Sequence, residues 1–115
     1  MENRRKNPRA KVAIAAELEA DGDTLSGETR DLSAGGVSVL LEQGLVEGDI
    51  LELALILTED GIEIADEEPF CTRAAVIWAA PTDDGQTMVG LRFKETAPQH
   101  LQRLQRFLRT LSAVA

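Results

Sequence analysis

The chain has 115 residues, of which 43% are apolar and 28% charged, and its formal net charge is −8. That length supports one domain with a real core, and the composition excludes a disordered chain. With no Tyr, one Trp and three Phe, the chain is poorly equipped to stack bases in series. Its acidic surface also repels polynucleotide phosphates, so no nucleic-acid partner is expected.

The charge is uneven. Residues 1–11 carry Arg4, Arg5, Lys6, Arg9 and Lys11 against Glu2, a net +4, and the remainder carries −12. This first segment contains Pro8 and has no apolar period, so residues 1–11 are expected to be a flexible basic arm and residues 12–115 the folded domain. Val12, Ile14, Ala16 and Leu18 then alternate with polar neighbours, which predicts a half-buried strand over 12–20. Asp21-Gly22-Asp23 predicts a hairpin turn, and Thr24 to Arg30 the returning strand.

Asp31 to Gly36 reads as a turn, followed by a third strand at Val37–Leu41. After Glu47-Gly48-Asp49, Ile50 to Leu57 reads as a strand with Leu51, Leu53, Leu55 and Leu57 inward. The acidic stretch 59–68 suits a solvated loop, with a partner-facing or arm-repelling surface as its functional alternative. Phe70 to Trp78 and Thr87 to Phe93 complete six strands, with Pro81 ending the fifth and Asp83-Asp84-Gly85 turning the chain between them. Six short, evenly spaced strands predict an all-β fold, a six-stranded antiparallel β-barrel that closes on itself. Thr96 is the expected cap of a C-terminal α-helix, with Pro98 near its first turn. Leu101, Leu104, Phe107, Leu108 and Leu111 supply the face with which that helix packs on the barrel.

Cys71 is the only cysteine, so no internal disulfide forms and a reducing, cytoplasmic location is expected. The N-terminus leads into no apolar signal region, and the longest apolar run, Ala74 to Ala80, is far too short to span a bilayer, so no membrane insertion is expected. His100 is the single histidine and reads as a surface or satisfied residue. With one His and one Cys far apart, neither a metal site nor a nucleophile–base pair is supported; no enzyme and no cofactor are expected. Trp78 reads as core.

Two short motifs remain. Arg5-Lys6-Asn7-Pro8-Arg9 is R-x-x-x-R, and Asp31-Leu32-Ser33-Ala34-Gly35-Gly36 is D-x-S-x-x-G. Taken alone, the first is a solubilising tail and the second a turn, because Asp and Ser bond nearby backbone N–H groups and Gly supplies conformational freedom. Taken together they suit a ligand with anions and purines. Guanidinium forks match phosphate bidentately and can bond guanine at O6 and N7 or stack on it. A carboxylate beside phosphates is acceptable only where arginines share the site.

The two motifs, their order, the hairpin between them and a later Val89-Gly90-Leu91-Arg92-Phe93 resemble the PilZ domain family. Ala75-Val76-Ile77-Trp78 resembles the strand that precedes that last one, so the resemblance runs from about Arg4 to Leu108. It implies a six-stranded antiparallel barrel with a C-terminal helix and cyclic di-GMP as ligand, bound on the outer surface of the barrel under the R-x-x-x-R arm. Carried over by position, Arg5 and Arg9 would grip phosphates and guanine, while Asp31, Ser33, Gly35 and Gly36 would form the barrel side. Arg4 occupies the position where arginine tends to accompany an intercalated pair of cyclic di-GMP molecules. The resemblance further implies a receptor that acts on a downstream effector protein. The alternative is a nucleotide-independent interaction module.

Overall fold

Asp21 and Gly22 set the first hairpin of the fold. Both have positive φ, 53° and 85°, as a two-residue turn between right-twisted strands requires. The structure, a computed structural model, describes residues 10–42, 44–59, 62–63 and 68–114. Its elements are β1 (Ala10–Lys11), β2 (Ala15–Ala20), β3 (Asp23–Leu32), β4 (Gly36–Leu41), β5 (Ile50–Leu55), β6 (Thr58–Glu59), β7 (Ile62–Glu63), β8 (Phe70–Pro81), β9 (Thr87–Lys94) and α1 (Pro98–Val114). Six of them, β2, β3, β4, β9, β8 and β5, pair in that order around an antiparallel barrel, which closes because β2 also pairs with β5. Strand β1 extends the barrel on β3, and β6 pairs with β7 as a separate small hairpin where the sequence had suggested a loop.

The period-2 pattern sends the expected side chains inward. Leu18, Leu32, Val39, Leu41, Leu53, Leu55, Phe70, Val76, Val89 and Leu91 are all buried in one continuous core, each such burial contributing roughly 1.5–3 kcal/mol. Leu51, Leu53 and Leu55 face in as expected, while Ile50 stays half exposed. Helix α1 adds Leu104 and Phe107 to the core, packs against β8 and β1, and rests Leu108 and Leu111 on the core's edge. Phe70 lies 5.2 Å from Phe93 and meets the His100 ring edge-on at 6.1 Å, while His100 Nδ1 accepts the Cys71 N–H at 3.4 Å. The single histidine is therefore a satisfied packing residue.

Three further local expectations differ. The strand foreseen over 12–20 is broken: Val12 to Ile14, three residues, stand opposite two, Thr29 and Arg30. Buried Thr29 repairs this bulge. Its hydroxyl donates to the Val12 carbonyl and accepts the Ile14 N–H at 3.0 Å, and its own N–H donates to the Ile14 carbonyl at 3.0 Å. Thr96 does not cap α1, because its hydroxyl meets that of Thr72 at 2.7 Å; the Ala97 carbonyl receives the Leu101 N–H at 3.0 Å instead. Trp78 is not core. A second bulge, at Ile77, shifts the register of β8 against β9 and leaves Trp78 on the outer face, 37% exposed.

Candidate functional site

The turn from β3 to β4 is closed by its own serine. The Ser33 N–H donates to the Gly36 carbonyl at 2.9 Å, its hydroxyl donates to the same carbonyl at 3.3 Å, and Oγ accepts the Gly35 N–H at 3.2 Å. Ser33 is only 8% exposed, so in this conformation it shapes the turn. The Gly35 carbonyl ties the turn to β9 by accepting the Phe93 N–H at 3.0 Å. A Cβ on Gly36 would fall 2.3 Å from the Leu91 carbonyl oxygen. Packing on β9 therefore demands glycine there, independently of any ligand.

Asp31 stands just before this turn, half-buried, after the irregularity at Arg30. Its N–H donates to Ser38 Oγ at 3.1 Å, and the Ser38 hydroxyl reaches back to Oδ2 at 3.5 Å. Cross-strand registers then align a row over the outer face of four strands: Asp31 on β3, Ser38 on β4, Gly90 on β9 and Trp78 on β8. The Trp78 indole lies on the backbone of Gly90, where a Cβ would come within 2.2 Å of Nε1. One neighbouring row is Gly36, Arg92, Ala75 and Ile50; the other is Glu28, Leu40, Met88 and Ala80. Together these residues make a face with two carboxylates, the buried hydroxyl of Ser38, one aromatic plane and one guanidinium.

Arg4, Arg5 and Arg9 lie outside the described residues. The residue that follows them does not: Ala10 pairs with Leu32 and Lys11 with Asp31. Ala10, the first described residue, thus lies at the end of β3 that carries the Asp31–Gly36 turn. Ala10 and Lys11, assigned to the arm by composition, are the two residues of β1.

The family model described as "PilZ domain" matches residues 3–110. The chain belongs to the PilZ domain family. The flagellar brake protein YcgR of Thioalkalivibrio sulfidiphilus is 29% identical over 108 residues, which are 90% of this chain and 42% of that relative. The PilZ domain of Escherichia coli YcgR, solved with c-di-GMP, superposes with a TM-score of 0.73 at 22% identity, covering 96% of this chain and 93% of that one. The Bacillus subtilis inhibitor of motility, MotI/DgrA, gives a TM-score of 0.76 at 23% identity over 95% of this chain and 51% of that one. The PilZ chain thus spans about half the length of YcgR and MotI. At these identities the two solved structures speak for the fold, the expected six-stranded barrel with its C-terminal helix.

Within this PilZ fold the start of the D-x-S-x-x-G segment shares its face with residues that sequence reasoning left out of the site. Ser38, Trp78 and Arg92 share the outer face with Asp31, yet they lie on three different strands. Only one signal pointed to them: a glycine at position 90, in a strand otherwise built of large residues, marks a place where something packs flat on the backbone.

Two titrations elsewhere on the barrel have clear causes. The Thr82 hydroxyl, bonded to the Asp84 carboxylate, holds that acid below its usual range, and the charge of Arg30 adds to the effect. Desolvation, then the charge of Glu68, pushes the Cys71 thiol up. Neither group belongs to the face described above. Among the described residues no group of three or more His, Cys, Asp or Glu could hold a metal ion, and no helix is long and apolar enough to cross a membrane.

Proposed function

We propose that this PilZ domain is a cyclic di-GMP receptor whose basic arm, residues 1–9, orders over the ligand on the outer face around Asp31, Ser38 and Trp78. The observation that supports the proposal is the pairing of Ala10, the residue after Arg9, with Leu32 of the D-x-S-x-x-G motif. Arg5 and Arg9 then supply guanidinium forks for phosphate and guanine, and Asp31 accepts guanine N–H groups. Trp78 offers a plane for a purine, and Ser33, Gly35 and Gly36 hold the turn in shape.

Ordering the arm costs roughly 1–2 kcal/mol of backbone freedom per residue. Charge-assisted hydrogen bonds of about 1.5–3 kcal/mol each offset that cost. Helix α1 touches β1, so an arm that orders at β1 alters a surface continuous with the C-terminal helix, where a downstream effector could read it.

Calorimetric titration of cyclic di-GMP tests the reading. Wild type is expected to bind, and Arg5→Ala combined with Arg9→Ala to bind far more weakly. No heat with wild type, or undiminished affinity in the double variant, overturns it. The same titration gives the stoichiometry: two ligands per chain fits Arg4 supporting an intercalated pair, and one excludes it.

A further inference from the structure

Arg92 sits on the candidate face with no acidic side chain directly opposite it on either neighbouring strand. Its cross-strand neighbours are Gly36 and Ala75; Ser38 and Arg73 lie diagonal to it, and Gly90 and Lys94 lie two residues away on its own strand. None of these is acidic, and two are cations. In a chain with 20 Asp and Glu against 12 Lys and Arg, such surroundings are unusual. The contrast with Arg73 is direct: its guanidinium reaches Glu52 at 3.5 Å and Glu95 at 3.4 Å. Arg92 has no ion pair or hydrogen bond with another side chain among the described residues. It is exposed, projects from the outer face next to two small residues, and is held by a strand paired along its whole length. Among the described residues such a guanidinium meets no side-chain partner, and a rigid strand makes it a pre-positioned donor.

We propose that Arg92 is the barrel's own phosphate contact for the cyclic dinucleotide, an inference that rests on the receptor reading given above. Apart from Lys11 opposite Asp31 and exposed Arg30, which lie at the β1–β3 edge, the barrel side presents carboxylates and an indole, none of which neutralises an anion. The arm starts beside β3, whereas Arg92 lies two strands away on β9, a separation of about 10 Å at ordinary strand spacing. A ligand with two phosphates that lies across β3, β4 and β9 therefore meets the arm arginines with one phosphate and Arg92 with the other. Arg92 acts as a point of charge here, with geometry secondary, because its fork opens to solvent on an exposed face.

The test is titration of cyclic di-GMP against wild type, Arg92→Ala and Arg92→Lys at low and high salt, with circular dichroism confirming that each variant is folded. Loss of one charge-assisted contact predicts an affinity about 10- to 100-fold weaker for Arg92→Ala. That variant should also show a smaller fall in affinity on raising salt, since one screened ion contact is gone. Arg92→Lys should restore most of the affinity, because lysine supplies the charge a phosphate needs. Unchanged affinity in Arg92→Ala overturns the inference while leaving the receptor reading intact. A lysine variant as weak as the alanine variant also overturns it, by pointing to a fork that reads a guanine edge. Absence of binding by wild type removes the receptor reading itself, and this inference with it.

Discussion

The indole of Trp78 rests on the Cα of Gly90, two strands from Asp31, so closely that any side chain at position 90 would collide with it. This contact fixes the one tryptophan of the chain as a flat, half-exposed plate on the same face as the D-x-S-x-x-G turn. Gly90→Ala should lift the indole off β9. The expected result is destabilisation by about 1–3 kcal/mol in urea unfolding, with a red shift of tryptophan emission as the ring enters water.

Because Trp78 is the only tryptophan, its fluorescence reports on the proposed site alone. Cyclic di-GMP should change wild-type emission with the same midpoint that calorimetry gives. Trp78→Ala should weaken binding by about 1–3 kcal/mol, the usual worth of one base stacked on an aromatic ring. Trp78→Phe should recover part of it. An emission that stays constant while heat is released would place the ligand away from Trp78.

Ser33 and Asp31 should separate shape from contact. Both bonds of the Ser33 hydroxyl stay within the turn, so Ser33→Ala should lower stability by about 0.5–1.5 kcal/mol as well as affinity. Asp31→Asn keeps the backbone bond to Ser38 and the size of the side chain. It should leave the unfolding midpoint nearly unchanged and reduce cyclic di-GMP affinity in titration.

Thr29 supports the bulge from which the arm departs. Thr29→Val removes the hydroxyl that bonds the Ile14 N–H and the Val12 carbonyl and strands both inside the barrel wall. A loss of about 1–3 kcal/mol is expected in chemical denaturation. The same substitution should loosen β1 and raise amide exchange at Val12 and Ile14.

Cys71 is exposed, yet desolvation and the charge of Glu68 raise its pKa, so at neutral pH it carries less thiolate than a free cysteine. It should react more slowly with a thiol reagent near pH 8 than a small thiol does, with the gap closing as pH rises through the raised pKa. Glu68→Gln should speed the reaction, measured by absorbance of the released reporter.

Local chemistry decided much of this protein. Asp21-Gly22 could only turn, alternation along β2 and β5 named the buried faces, the spacing of Leu104 and Phe107 gave the helix, and the D-x-S-x-x-G motif marked the turn between β3 and β4. These features depend on neighbours within a few residues, and period-2 and period-3.6 patterns carry them. The tertiary structure alone decided what stands beside what. Closing the barrel put bulges at residues 12–14, at Arg30 and at Ile77, and the last of these turned Trp78 from the expected core onto the outer face. It demanded glycine at 36 because β9 passes there, and it aligned Ser38, Gly90 and Trp78 with Asp31 across four strands. Cross-strand register comes from the closure of the whole sheet, which no local window of sequence contains.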